Sequence, residues 1–139
     1  MDRRLFFLMN MAQKQLFRYA DAVCEQEVGA SMTQMGALVI VASTPGCLQK
    51  DLAESLMLNK SAVTGLVERM SANGLLVKEV LPTDARAVSL RATELGLEKV
   101  ALLKPLINDM NQKFAEAFTE AELETIFRFF DFILNTFDR

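Results

Sequence analysis

Residues 48–91 read LQKDLAESLMLNKSAVTGLVERMSANGLLVKEVLPTDARAVSLR, and this stretch decides the fold. Apolar residues recur at helical spacing over 48–57 and again over about 60–72. Asn59 separates the two patterns and is a good N-cap for the second. Asn73-Gly74 is a typical helix end. The first half of the stretch therefore predicts two short helices joined by a tight turn.

The second half of the stretch changes its period. Residues 75–80 and 87–91 have the composition of β-strands, and Pro82-Thr83-Asp84 between them is turn chemistry. A hairpin that follows two helices joined by a turn predicts a winged helix-turn-helix, in which the second helix can enter the DNA major groove.

Upstream, residues 3–28 read as one long amphipathic helix, because apolar residues recur at steps of three or four. Ser31 and Gln34 form a capping-box pattern, which predicts a short buried helix over about 32–43. Thr44-Pro45-Gly46 should end that helix. Three short helices therefore precede the hairpin, and a long helix precedes all of them.

Downstream, residues 94–138 are predicted to be helical, with a kink or break at Pro105. A second capping box, at Thr119 and Glu122, should start the last helix. Seven of the chain's ten Phe residues lie between positions 114 and 137. Because one small domain can hardly cover so much aromatic surface, we expect a partner subunit to cover it.

Composition narrows the function classes. The chain has 139 residues, 51% of them hydrophobic, which suits one domain with a real core. It has no His and only two Cys, so neither a zinc site within one chain nor a disulfide scaffold is expected. No phosphate-cradling glycine loop or nucleophile motif is present. We therefore expect no catalytic activity, no metal and no cofactor.

The charge balance is uneven along the chain. The formal net charge is −3, which by itself gives no hint of a nucleic-acid partner. Residues 48–91 carry six basic and five acidic side chains, a net charge of +1, whereas residues 92–139 carry five basic and nine acidic ones, a net charge of −4. The acidity belongs to the last helices, so the winged-helix stretch remains compatible with DNA.

No apolar run approaches the roughly 18–20 residues that span a bilayer. Arg3 and Arg4 precede a short apolar run, but Asn10, Gln13 and Lys14 interrupt it, and no small-residue cleavage site follows. The simplest prediction is a cytoplasmic protein without a membrane partner.

Four segments carry a family resemblance: Asp51-Leu52-Ala53-Glu54-Ser55-Leu56, Asn59-Lys60-Ser61-Ala62-Val63-Thr64, Gly74-Leu75-Leu76 and Asp84-Ala85-Arg86-Ala87-Val88. Together they resemble the MarR family, the multiple-antibiotic-resistance-type regulators. The Asp-x-Arg of the wing, placed after this helix-turn-helix, is the most specific part. The resemblance is tightest over residues 31–97 and looser over the whole chain.

The resemblance implies a mainly α protein with a winged helix-turn-helix at residues 31–93. Residues 1–30 and 94–139 would be dimerisation helices, so that residues 1–139 form a single MarR-like domain. The implied function is that of a homodimeric transcriptional regulator, more typically a repressor. Its partner would be double-stranded DNA with a pseudo-palindromic operator.

The predicted DNA-binding residues lie on two elements. The start of the recognition helix points into the groove, where small hydroxyls and backbone N–H groups can meet phosphate or base edges. In the wing, the resemblance implies that Arg86 reaches the minor groove and that Asp84 orients it. The full set is Lys60, Ser61, Thr64, Gly65, Arg69, Asp84 and Arg86. Gly65 stands where many relatives carry Arg or another polar residue.

Two further features remain open. The family's usual switch is a small amphipathic or phenolic effector, for which Phe17, Tyr19 and Met35 are candidate contacts, although core packing explains them equally well. Cys24 and Cys47 are candidates for thiol-based redox sensing, although both also read as ordinary small apolar residues.

Two functions therefore compete. One is a sequence-specific DNA-binding repressor relieved by a small-molecule effector. The other is a winged-helix protein-interaction module with little DNA affinity, which Gly65 and the sparse charge of the wing favour. Salt dependence of binding to duplex DNA distinguishes them.

Overall fold

The computed structural model describes residues 4–138 and has the predicted winged-helix architecture. The elements, in chain order, are α1 Leu5–Glu27, α2 Met32–Ser43, β1 Cys47–Leu48, α3 Gln49–Leu56, α4 Lys60–Ala72, β2 Leu76–Leu81, β3 Asp84–Ala92, α5 Glu94–Ala117 and α6 Glu120–Thr136. The predicted start of the first helix at residue 3 lies outside the described residues. The mainly α winged helix-turn-helix is confirmed.

Three strands form one antiparallel sheet in the order β1-β3-β2. The wing hairpin pairs Leu76 with Ala92 and Val80 with Val88, with a register irregularity next to the turn. Strand β1 pairs Cys47 with Leu90 and was not predicted, because two residues are too few to show a period. It fastens the start of α3 to the base of the wing.

Side-chain caps begin several helices. Ser31 Oγ accepts a hydrogen bond from Gln34 N at 3.2 Å, as predicted. The second bond of the predicted capping box, from Ser31 N to the Gln34 side chain, is not part of this cap, and Gln34 Oε1 accepts from Asn73 Nδ2 at 3.3 Å. Asp21 Oδ1 instead accepts from Met32 N at 2.7 Å, which joins the end of α1 to the start of α2.

The chain divides into two compact units, with the boundary between Lys104 and Pro105. The core of the first unit is made by α2, α3, α4 and the sheet. Its largest fully buried side chains are Met35, Leu38, Leu52, Leu66, Met70, Leu75, Leu76 and Leu90. In the described part of the second unit, residues 105–138, none is buried.

Helix α5 continues through Pro105, so of the predicted kink or break the break is wrong and the kink stays a prediction. Proline removes one backbone donor, which the carbonyl of Ala101 would otherwise accept. Ala101 is exposed, so water can bond that carbonyl and the helix persists. The second capping box is confirmed, because Thr119 and Glu122 exchange both hydrogen bonds at the start of α6.

None of the helices in the described part of the chain is long and apolar enough to cross a membrane.

Candidate nucleic-acid interface

Helix α4 presents its first turn to solvent because its inner face is committed to the core. Asn59 Oδ1 accepts from Ala62 N at 2.8 Å and caps the helix. Val63, Leu66, Val67 and Met70 are buried on the inner face. Lys60 and Ser61 are exposed at the N-terminal end. That end combines unpaired backbone N–H groups with the positive end of the helix dipole, which attracts an anion such as phosphate.

Thr64 lies one turn further along and its hydroxyl is engaged on both sides. Oγ1 donates to the Lys60 carbonyl at 2.8 Å and accepts from Gln49 Nε2 at 3.2 Å. Gln49 is the first residue of α3, so this bond ties the two helices of the helix-turn-helix together. Gln49 is a site residue that the sequence did not indicate, since no local spacing links it to Thr64.

Gly65 and Arg69 are neighbours on the outer side of α4. A Cβ atom added at Gly65 would lie 3.3 Å from Arg69 Nη1, so the guanidinium covers the glycine. Helical side chains lean toward the N-terminus, over the turn before their own Cα. The charge of Arg69 therefore sits one turn closer to the start of α4 than its backbone position suggests.

The wing contributes Asp84 and Arg86 at the start of β3. Asp84 Oδ1 accepts from Arg86 N at 3.0 Å, and Arg86 Nε lies 3.9 Å from the same oxygen. The side chain of Arg86 is 97% exposed and that of Asp84 56% exposed. Such an exposed ion pair adds little to stability. Asp84 holds Arg86 at its backbone N–H and at Nε, while the side chain as a whole stays exposed.

A cleft of about 540 Å³ lies between the start of α3, the start of α4 and the wing. Its lining brings together Lys50, Lys60 and Arg86, with Asp84 the single carboxylate among them. Three cations against one anion give this cleft a local charge of +2 at neutral pH. Lys50 was not among the predicted site residues, and only the folded structure places it beside the wing.

The structure thus assembles the predicted residues in two adjacent groups. Lys60, Asp84 and Arg86 line the cleft, and Gln49 connects it to Thr64. Ser61, Gly65 and Arg69 follow each other at steps of four along one side of α4, which is one row on a helix surface.

The candidate effector contacts have different surroundings. Met35, on α2, is fully buried in the hydrophobic core, whereas Phe17 and Tyr19 are 42% and 48% exposed on α1. Packing accounts for Met35. Phe17 and Tyr19 each keep a large part of their surface exposed on α1.

Both cysteines are free thiols, Cys24 buried in α1 and Cys47 half-buried in β1. Burial raises the pKa of Cys24, and Asp21 and Glu25 raise it further against the opposing charge of Lys99. Burial also raises the pKa of Cys47, with Asp51 adding to the effect. Since the thiolate is the reactive form, these surroundings disfavour reactivity at both thiols.

The sequence comparisons identify relatives among transcriptional regulators. The MarR family model matches residues 29–87, which include α2, α3, α4 and the wing turn. A proposed transcriptional regulatory protein for the hcr operon of Thauera aromatica is 26% identical over 126 residues, covering 91% of this chain and 76% of that protein.

The structural comparisons extend the likeness to nearly the whole chain. The S. aureus MepR–DNA complex has a TM-score of 0.91 at 20% identity and covers 99% of this chain and all of that one. Streptomyces coelicolor PcaV, solved with its natural ligand, has a TM-score of 0.86 at 24% identity and covers 98% and 95% of the two chains. The chain is thus similar to the MarR family over residues 29–87, and it shares the fold of these two solved structures over nearly its whole length.

Proposed function

We propose that the chain is a homodimeric, sequence-specific DNA-binding repressor that a small-molecule effector releases from its operator. The cationic cleft carries the DNA part of this proposal, since Lys50, Lys60 and Arg86 converge beside the exposed start of α4. A helix N-terminus and a flexible arginine next to it suit a groove edge and its phosphates. The repressing sign of regulation is the one that the family resemblance implies.

Relatives support the two kinds of partner. MepR, whose fold this chain shares, has been solved with DNA bound. PcaV, which has the same fold, has been solved with its natural ligand. For this chain, DNA is the proposed partner of α4 and the wing, and a small amphipathic or phenolic molecule is the proposed effector.

Dimerisation is supported by the apolar surface of α6. Phe127, Phe130, Phe132, Leu134 and Phe137 are each more than half exposed. An exposed apolar surface of this extent is typical of a subunit interface. A two-fold dimer would present two α4 helices to half-sites about one helical turn of DNA apart, which is why we expect a pseudo-palindromic operator.

The effector would act by changing the separation of the two recognition helices. A ligand shifts a conformational equilibrium only by its difference in affinity for the two states. An effector that favours a spacing mismatched to the half-sites would therefore lower operator affinity. Phe17 and Tyr19, which are half-exposed on α1, are the proposed contacts.

Replacing site residues on an operator selected from random DNA tests the DNA contacts. Arg86→Ala removes one charged contact from each half-site, so we expect operator affinity to fall by about 1.5–3 kcal/mol per subunit and the salt slope of the dimer to be smaller by about 2. Thr64→Ala should cost about 0.5–1.5 kcal/mol of operator affinity per subunit, because it removes the bond that holds Gln49 and the one acceptor position that Thr64 Oγ1 has left for DNA. Fluorescence anisotropy over a salt series measures both effects.

Lys104→Ala is the matched control, because Lys104 also carries one positive charge and is exposed but lies on α5, outside the cleft. It should bind the operator as the wild type does. Wild-type affinity in both Arg86→Ala and Thr64→Ala would remove the assigned contacts.

A further inference from the structure

A guanidinium over a glycine marks the outer side of α4. Ser61, Gly65 and Arg69 form one row on this helix, and the row lies away from the buried side chains Val63 and Leu66. Gly65 leaves a flat place in the row, and Arg69 Nη1 lies 3.3 Å from where its Cβ would be. The charged group of Arg69 thus lies against the place where a Cβ at position 65 would be, a few tenths of an ångström inside ordinary van der Waals contact.

The Arg69 guanidinium is free to bind something else. Arg69 is exposed, and among residues 4–138 it has neither an ion-pair nor a hydrogen-bond partner. Its planar fork of N–H donors therefore remains unused in the free protein. The helix fixes the position of the Arg69 guanidinium, and its N–H donors are not used within the described residues, so this group is suited to recognise a ligand.

Glycine in a helix interior lowers helix stability relative to alanine, so a benefit elsewhere would explain it. At Gly36, another helical glycine, an added Cβ would meet nothing within 4 Å. At Gly65 it would crowd the Arg69 guanidinium. The two glycines therefore differ in that only Gly65 has a side chain, that of Arg69, next to the place of the missing Cβ.

We propose that Gly65 is a seat for the Arg69 guanidinium, and that the seated guanidinium reads a guanine in the major groove of the operator. This rests on the proposed DNA-binding function and adds a specificity residue to it. An arginine fork matches the O6 and N7 acceptors of guanine, and that bidentate pair is the commonest specific contact to a base. Leaning toward the start of α4 carries the fork to the part of the helix that enters the groove.

The test compares wild type, Gly65→Ala, Arg69→Ala and the double variant. Each full-length protein is titrated with the operator selected by the wild type and with duplexes changed at one base pair. Arg69→Ala should lose about 5- to 150-fold discrimination at one G·C pair in each half-site, the range expected for a bidentate pair. Gly65→Ala should lose part of the discrimination at the same base pair, because the added Cβ shifts the guanidinium by a few tenths of an ångström.

The double variant distinguishes two explanations for a loss of discrimination in Gly65→Ala: an effect that acts through Arg69, and a direct clash between the new methyl group and DNA. If Gly65 acts through Arg69, adding Gly65→Ala to Arg69→Ala changes nothing further. If the new methyl group clashes with DNA directly, the two losses multiply, which contradicts the seat. Arg69→Lys keeps a charge without the fork, so it should keep the salt slope and lose the base preference.

Stability provides an independent check on folding. Gly65→Ala should melt at a higher temperature than the wild type while discriminating less, so unfolding cannot explain the loss. Gly36→Ala is the control, with helix stabilisation but unchanged base preference.

Two outcomes would overturn the inference alone. One is that Arg69→Ala binds all the duplexes more weakly by the same factor and has a smaller salt slope, because that result indicates a contact to phosphate and not to a base. The other is an unchanged base preference in both single variants. If the wild type selects no preferred sequence, the proposed function fails, and this inference fails with it.

Discussion

Helical glycines in this chain differ in what an added methyl group would meet. At Gly96, on the first turn of α5, a Cβ would overlap the backbone oxygen of Leu75 and press on the Leu38 side chain. At Gly36, on α2, nothing lies within 4 Å. The same substitution should therefore have opposite effects at the two positions.

Gly96→Ala should lower the free energy of unfolding by about 1–3 kcal/mol, because it forces the backbones of α5 and the wing base apart. Gly36→Ala should raise it by roughly 0.5–1 kcal/mol through helix propensity. Urea unfolding at one fixed protein concentration measures both. A loss of stability in Gly36→Ala, or none in Gly96→Ala, would contradict the packing described.

For single residues, the sequence predicts hydrogen bonds between neighbours in the chain. It does not predict contacts between residues that only the folded structure brings together. The cap at Asn59 and the bond from Arg86 N to Asp84 join residues two or three positions apart. The bond between Gln49 and Thr64 joins positions 15 apart. Lys50 lines the same cleft as Asp84 and Arg86, which lie more than 30 positions further along the chain. No local pattern encodes either one.

Among the helices, α6 has a capping box whose contribution to stability should depend on pH. Thr119 N donates to Glu122 Oε1 at 2.8 Å. The hydrogen bonds from Thr119 hold the pKa of Glu122 below its ordinary value of 4.5. A lowered pKa in the folded state means that the carboxylate stabilises the helix above pH 4.5. That stabilisation is lost as the pH falls through the folded-state value.

Glu122→Gln removes the titration, so the melting temperatures of wild type and variant should differ most above pH 4.5 and converge in acid. Thermal melts by circular dichroism from pH 7 down to pH 3 measure the difference. Glu124→Gln removes the same charge two residues away, outside the cap, and serves as the control. A gap between wild type and Glu122→Gln that stays constant over this range would contradict the assigned cap.

The helices were predictable from periodicity and caps, and the errors have physical causes. Strand β1 has two residues, too few to carry a period, and it exists because Cys47 and Leu48 pair with β3. The Ser31 cap lacks its second bond, and the Gln34 side chain is turned to Asn73, at the end of α4, which is 39 positions away in the sequence. Pro105 does not break α5 because the carbonyl it leaves without a donor is at an exposed position.

For the whole molecule, the net charge of −3 conceals a local excess of positive charge. Lys50, Lys60 and Arg86 face one cleft, while residues 92–139 carry a net charge of −4. Few phosphate contacts should follow from so small a cationic surface, so non-specific affinity should be weak. High operator affinity would then depend on two subunits binding together.

Phe130→Glu tests that dependence, since Phe130 is 52% exposed on the apolar side of α6. Placing a charge there should dissociate the dimer, because an unpaired charge is costly to bury in an interface. Sedimentation velocity should show a shift toward monomer, with a large loss of operator affinity. Arg128→Glu introduces the same residue on α6 at an exposed polar position and should remain dimeric. An unchanged dimer in Phe130→Glu would exclude this face from the interface.

Selection of bound duplexes from a random pool tests DNA reading most directly. The wild-type chain should enrich a two-fold symmetric consensus whose half-sites are about 10 base pairs apart, and its binding should weaken steeply with salt. No enrichment, with a weak signal that is insensitive to salt, would contradict DNA reading and favour a winged-helix protein-interaction module instead.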